Sequence, residues 1–353
     1  MEGETLSGQA TVGETGRVLV TLAALVIVVA GMRAAEAILT PFLISVFIAV
    51  IAAPPMFHLR RRGLPSSVAM SVVLAGILVI GFLLITLVGK SANDLISRLP
   101  EYQARLREYT DGVAAVLGRW GMEVSSDTFG QLMDPGKVLG LFAKTLSGLG
   151  GVLTNAVLII FTVVFLLLEA WDFPEKLRSA LKDPEHNWPR FQAFSRDLQR
   201  YLAIKAMVSL VTAALVAVPL IWIGLDYVAL WAVLMFFLNF IPNIGPIIAA
   251  VPATLLALVQ LGPIPAVAVA GVYLAVNTLM GNIVEPRFMG RSLGLSTLVV
   301  FLSLVFWGWV LGPIGMLLSV PLTMAAKIGL ASNEDTRGLA VLLGPGTPDK
   351  QEL

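Results

Sequence analysis

The chain has 353 residues and a net charge of +1; 57% of its residues are hydrophobic and only 13% are charged. Soluble domains carry about 25% charged residues, so this chain has more apolar surface than one globular core can hide. The near-zero charge excludes the broad basic face that nucleic acid requires, and the absence of cysteine excludes disulfides and thiolate metal sites. The composition therefore predicts an integral protein of a lipid bilayer.

Six apolar stretches are long enough to cross a hydrocarbon core of about 30 Å, which takes about 20 helical residues. They lie near residues 18–33, 35–53, 66–89, 149–170, 201–223 and 264–284. The second stretch is predicted to end at Pro54-Pro55, because proline lacks the N–H that continues a helix. The stretches up to residue 89 form a group of three transmembrane helices after a cytoplasmic N-terminus, 1–17, and 148–170 contains the fourth.

A polar insert, 90–147, separates the third and fourth stretches and is predicted to lie outside the cytoplasm. Its apolar and aromatic residues recur at steps of three and four, which predicts a helix with Pro100 in its first turn. The residues of this stripe are Tyr102, Leu106, Tyr109, Val113, Val116 and Trp120. The stripe either packs on its own protomer or the membrane surface, or forms an oligomer contact.

Basic residues set the predicted orientation. A cytoplasmic amphipathic loop, 171–200, leads into the fifth stretch, and a cytoplasmic tail, 331–353, ends the chain. Arginines cluster at residues 60–62 and in the amphipathic loop, and cytoplasmic loops of membrane proteins are rich in Lys and Arg. Both termini are therefore predicted to be cytoplasmic.

Two further apolar segments are interrupted by glycine and proline. The first broken segment, 228–260, is cut at residues 241–246, and the second broken segment, 296–330, is cut at Gly312-Pro313. Neither half of either segment is long enough to span a bilayer. Irregular backbone at membrane depth is tolerated only where it is buried in protein or lines a water-filled cavity. Paired segments interrupted by glycine and proline are typical of the binding sites of transporters.

The fold prediction is thus an all-α integral membrane protein with a helical extramembrane insert. It comprises six full transmembrane helices and, in addition, two broken or re-entrant helical hairpins. Both hairpins lie in a core transport region, 201–330. With one full span between them, the two hairpins would open toward opposite faces. If each broken segment instead crosses once, the count becomes eight.

Three strings of residues are similar to those of the autoinducer-2 exporter family of bacterial membrane proteins. They are Phe240 to Pro252, Asn282 to Arg287, and Leu311 to Gly315. The resemblance implies multi-pass plasma-membrane proteins, conventionally described with eight membrane segments, that form homo-oligomers, with a pentamer as one possibility, and export small molecules. Some members of the family have been linked to sodium/proton exchange, so the resemblance does not fix the solute.

Polar and helix-breaking residues within the apolar segments are the candidates for a solute pathway, because each costs free energy unless it is paired or faces water. They are Asn239, Pro242, Asn243, Gly245, Pro246, Asn277, Asn282, Glu285, Gly312 and Pro313. For the asparagines the alternative is a hydrogen bond between helices, and for Glu285 an interfacial ion pair with Arg287. The sequence predicts no catalytic residue, metal site or cofactor.

Together these observations predict a transporter of the bacterial inner membrane that exports small, neutral or weakly charged solutes, such as an autoinducer-2-like signal. Transport would be passive or driven by a gradient, with Na⁺ or H⁺ as the candidate coupling ion. The alternatives are a sodium/proton antiporter, a non-transporting assembly or regulatory partner that uses the polar insert, and a channel-like oligomer.

Overall fold

The computed structural model describes residues 14–119, 155–180, 184–289, 294–331 and 336–344, and the regular elements within these ranges are helices. In chain order they are α1 (Glu14–Ala34), α2 (Glu36–Arg61), α3 (Ser66–Arg119), α4 (Ala156–Glu169), α5 (Phe173–Ala180), α6 (Pro184–Ile223), α7 (Val228–Leu238), α8 (Gly245–Leu261), α9 (Pro263–Leu279), a π-helical turn (Met280–Val284), α10 (Glu285–Met289), α11 (Thr297–Ala331) and α12 (Arg337–Leu342). Among the described residues, five helices are long and apolar enough to cross a membrane, or six if the bent pair α4–α5 is one span. The prediction of an all-α membrane protein is confirmed.

Helix α2 does not end where the sequence predicts. It continues through Pro54 and Pro55 to Arg61, so the predicted end at residue 53 is wrong. Ala53 and Met56 are buried in an apolar cluster that α2 shares with α4. Packing on both sides of the proline pair outweighs the loss of two backbone hydrogen bonds.

Helix α3 is also longer than predicted. It passes through Pro100 and reaches Arg119 as one helix, so the prediction of a separate insert helix beginning at Pro100 is wrong. Leu95 and Tyr102 are buried in the central apolar cluster, and this packing on both sides of Pro100 keeps α3 continuous. The remainder of the insert, 120–147, and most side chains of the predicted stripe lie outside the described residues.

The two halves of the first broken segment lie side by side. Gln260, near the end of α8, accepts a hydrogen bond through Oε1 from the backbone N–H of Asp226, just before α7, at 3.0 Å. Its Nε2 donates to the carbonyl of Gly224 at 3.4 Å. The start of α7 and the end of α8 therefore meet, with the break between them at the far end.

The second broken segment folds back in the same way at Gly312. The Nε1 of Trp307 donates to Oγ1 of Thr323 at 3.0 Å, although a separation of 16 positions would span about 24 Å in a straight helix. At the other end, Nζ of Lys327 donates to the carbonyl of Gly294 at 2.6 Å. The halves of α11 are thus packed against each other.

The central apolar cluster combines residues of α3, α6, α7, α8 and α9. Trp231 and Met235 of α7 and Leu256 of α8 are completely buried in it. The packed faces of α7 and α8 are therefore buried in protein, whereas Asn243 and Ile244 at the break are exposed. Irregular backbone at membrane depth is tolerated where it is buried in protein or lines a cavity.

Candidate functional site

The first break has a local cause in its sequence. Asn243 adopts a left-handed backbone conformation, φ 61°, which asparagine tolerates better than most residues. Gly245 then begins α8 with its backbone pressed against the carbonyl of Leu238, so that any Cβ at this position would overlap the carbonyl. Pro246 occupies the first turn of α8, where its missing N–H costs nothing. The string Pro-Asn-Ile-Gly-Pro thus reverses the chain in a small space.

Asn239 ties the first break to α6. Its side chain is 7% exposed, and its Nδ2 donates to Oγ of Ser209 at 3.0 Å. This is the hydrogen bond between helices that the sequence analysis left open for the asparagines. Since Ser209 lies in the apolar part of α6, the bond positions the end of α7 against the middle of that helix.

One turn before Ser209, α6 carries a buried cation. Nζ of Lys205 lies 2.5 Å from Oε1 of Glu285, and the two side chains are only 4% and 20% exposed. The partner of Glu285 is thus Lys205 rather than Arg287. Removing either member of a buried pair of this kind strongly destabilises the folded protein, because the other charge is left buried without a partner.

Lys205 was missing from the residues selected on sequence grounds. The signal was present, because Lys205 stands inside the apolar stretch 201–223, and ionisable residues within such stretches usually have a functional partner. Tyr201, one turn earlier on the same helix, is also buried. The pairing with Glu285, 80 positions away, depends on how α6 packs against α9 and α10 and is not visible in the sequence.

The carboxylate of Glu285 follows a widened turn. Residues Met280–Val284 form a π-helical turn between α9 and α10, and such turns are frequent at functional sites. Asn282 lies within this turn and is exposed, whereas Asn277, in the last turn of α9, is half-buried. The turn rotates Glu285 relative to the α9 face that precedes it.

The second break has different neighbours. Gly312 has φ 63° and ψ −151°, a combination that is essentially restricted to glycine. A Cβ at this position would lie 3.1 Å from a carboxylate oxygen of Glu36, at the start of α2. Nearby, the Arg33 guanidinium lies 4.3 Å from the centre of the Trp309 ring. Gly312 and the exposed Pro313 therefore face the junction of α1 and α2.

Apart from Asn277 and Asn282, which lie on α9 and in the π-helical turn, the predicted candidates divide into two groups. Asn239, Glu285 and the residues of the first break are connected through α6, together with the additional residues Ser209 and Lys205. Gly312 and Pro313 belong to the second break. The assignment of all these residues to a solute pathway stays a prediction.

Comparison with known proteins agrees with the resemblance seen in the sequence. The family described as AI-2E family transporter matches residues 22–332. The AI-2 transport protein TqsA of Escherichia coli (strain K12) is 38% identical over 327 residues, which cover 93% of this chain and 95% of TqsA. YhhT of the same organism, named as a candidate transport protein, is 38% identical over 331 residues, which cover 94% of this chain and 95% of YhhT.

A similar relation extends to another bacterium. A candidate transport protein of Haemophilus influenzae is 38% identical over 334 residues, which cover 93% of this chain and 96% of that protein. These matches span almost the whole chain, including both broken segments and the buried pair. The chain is a membrane transporter that belongs to the AI-2E family.

Proposed function

We propose that this transporter exports a small, uncharged or weakly charged solute, and that the solute passes the first break. The observation that carries the proposal is the link from the break through Asn239 and Ser209 to the Lys205–Glu285 pair one turn away. The pair neutralises its own charge, and residues 228–261 contain no charged side chain. A strongly charged solute would find no free counter-ion at the break.

We also propose that both broken segments are re-entrant and open toward opposite faces of the membrane, which leaves six full transmembrane helices. The hydrogen bonds of Gln260 support an opening of the first segment beside Asp226. The bond from Lys327 to Gly294 supports an opening of the second segment at its own two ends. A single crossing by α9, the π-helical turn and α10 then separates the two openings.

This orientation can be tested with single cysteines, because the chain has none of its own. Cysteines at Asp226 and Pro263 should react with an impermeant maleimide from outside, and cysteines at Arg61 and Gly338 should react from the cytoplasm. If the first broken segment crossed the membrane once, Asp226 and Pro263 would react from opposite faces.

AI-2 is the first solute to test, because TqsA is named for AI-2 transport. Purified protein in vesicles should move AI-2 faster than empty vesicles do. Imposing a Na⁺ or an H⁺ gradient separately would show whether either ion is coupled to the movement. Equal rates with and without the protein would contradict the assignment of AI-2.

The most informative variant at the break is Asn243→Gly. Glycine accepts the left-handed backbone at this position without strain, so the substitution removes the amide and leaves the break intact. We expect the AI-2 flux to fall while the melting temperature in detergent stays the same. A normal flux would remove Asn243 from the pathway.

The family resemblance supports a homo-oligomer in the plasma membrane, and the basic residues at 60–62 and in the loop 171–200 support a cytoplasmic position for both termini. The mass of the purified protein in detergent, corrected for bound detergent, tests the assembly. A monomeric mass would contradict it.

A further inference from the structure

The interface between α6 and α9 contains polar side chains in addition to those that hold the first break in place. The two helices are antiparallel, because α6 ends at Ile223 beside Gln260, which precedes α9, while Lys205 pairs with Glu285 at the other end. The height of a residue along the interface can therefore be measured from the ion pair toward Ile223, which is called upward below. The rise is about 1.5 Å per residue on both helices.

Counted in this way, the polar side chains of the two helices form a ladder. Ser209, bonded to Asn239, lies one turn above the pair. Thr212 of α6 and Asn277 of α9 lie about 10 to 12 Å above it, and Tyr273 about 18 Å above it. On α6 the steps from Lys205 to Ser209 and from Ser209 to Thr212 are four and three residues, and on α9 Tyr273 and Asn277 are four residues apart, so the members of each set share a helical face.

The upper end of the ladder is unsatisfied. Tyr273 is only 2% exposed, and its hydroxyl has no hydrogen-bond partner among the described residues. Asn277 is half-buried, and the described part of the chain offers no hydrogen bond to its amide. Thr212, by contrast, donates to the carbonyl of Val208 at 2.7 Å. Buried polar groups in proteins are paired with protein, water or ligand, so the hydroxyl of Tyr273 requires a partner that the described residues do not supply. The half-buried amide of Asn277 lies one turn away on the same face of α9.

We propose that Tyr273 and Asn277 form a solute subsite at the upper end of this ladder, for an uncharged solute that carries hydroxyl or carbonyl groups. The groups at this level are a phenol and a carboxamide, which donate and accept hydrogen bonds without charge. The central apolar cluster contains Tyr273 together with Val216 of α6, so a hydrogen bond to the hydroxyl would form in apolar surroundings. The proposal rests on the proposed function, because it extends the solute path from the first break along α6 and α9.

The test uses equilibrium binding and flux on the same preparation. Purified protein in lipid nanodiscs is titrated with two radiolabelled probes, AI-2 and D-ribose, and the same protein in vesicles is assayed for AI-2 flux. Tyr273→Phe and Asn277→Ala should each raise the Kd of a bound probe about 3- to 10-fold, as expected for one hydrogen bond. Tyr273→Phe retains the ring, so packing is preserved.

Tyr102→Phe is the matched control. Tyr102 is also buried in the central apolar cluster but lies on α3, where its hydroxyl is hydrogen-bonded to Arg98 and Tyr227 and does not belong to the ladder. Removing this hydroxyl should leave the Kd unchanged. Binding of neither probe, an unchanged Kd in Tyr273→Phe, or an equal rise in Tyr102→Phe would overturn the subsite. Binding with the expected changes but no flux would leave the subsite in place and overturn the proposed transport of AI-2.

Discussion

The two broken segments share a sequence pattern but differ in what surrounds the break. The first break has a buried hydrogen bond from Asn239 and leads to the Lys205–Glu285 pair. The second break lies at Gly312 beside Glu36, and its halves meet through the bond from Trp307 to Thr323 and through the close approach of Gly315 to the carbonyl of Trp307. Glycine and proline therefore determine where a helix breaks, whereas neighbouring helices determine which polar groups surround the break.

The largest expected loss of stability comes from the first region, at the buried ion pair of Lys205 and Glu285. Glu285→Ala should destabilise the protein by about 3–5 kcal/mol, because it leaves the ammonium of Lys205 buried without its partner. Thermal unfolding in detergent measures the loss. The double variant Lys205→Met with Glu285→Met should recover most of the stability, because an apolar pair needs no counter-charge. A single variant as stable as the natural chain would contradict the burial of the pair.

A smaller effect is expected at the second break. Gly312→Ala should cost about 1–3 kcal/mol, because alanine is strained at φ 63° and ψ −151°. Gly271→Ala on α9 is the control, since nothing lies within 4 Å of the added Cβ and alanine favours helix. Thermal unfolding should thus fall for the first variant and stay level or rise for the second. Equal shifts would show that the backbone at Gly312 is not constrained.

Much of the fold follows from the sequence, for reasons visible at particular residues. Long apolar stretches predict helices wherever they occur, and Gly245 and Gly312 mark breaks because their surroundings or backbone angles exclude a Cβ. The predicted helix end at Pro54-Pro55 and the predicted helix start at Pro100 were wrong, because packing against neighbouring helices keeps α2 and α3 each continuous across its prolines. Local sequence does not report that packing.

The candidate site was less predictable than the fold. Glu285 was selected because it ends an apolar span, but its partner Lys205 comes from a helix 80 positions earlier in the chain. Asn239 was selected as a polar residue, and its bond to Ser209 depends on the same packing of helices. Pairings of this kind are tertiary, so a pattern along one helix identifies the residues and not their partners.

The smallest expected effect on stability compares one hydrogen bond from each region. Asn239→Ala and Trp307→Phe each remove a single bond between side chains, which contributes about 0.5–1.5 kcal/mol. Their melting temperatures should fall by similar, small amounts. The AI-2 flux should fall in Asn239→Ala alone, because only that bond positions the first break. Equal loss of flux in both variants would remove the functional difference between the two segments.

Solute protection of single cysteines tests most directly whether the first break, rather than the second, borders the solute path. Ile244 and Pro313 are both exposed at their breaks. Because the chain has no cysteine, each position can be given a single cysteine in turn. The rate of maleimide modification is measured at each position with and without saturating AI-2. AI-2 should slow the reaction at Ile244→Cys and leave the reaction at Pro313→Cys unchanged. Protection at Pro313→Cys without protection at Ile244→Cys would contradict a solute path at the first break.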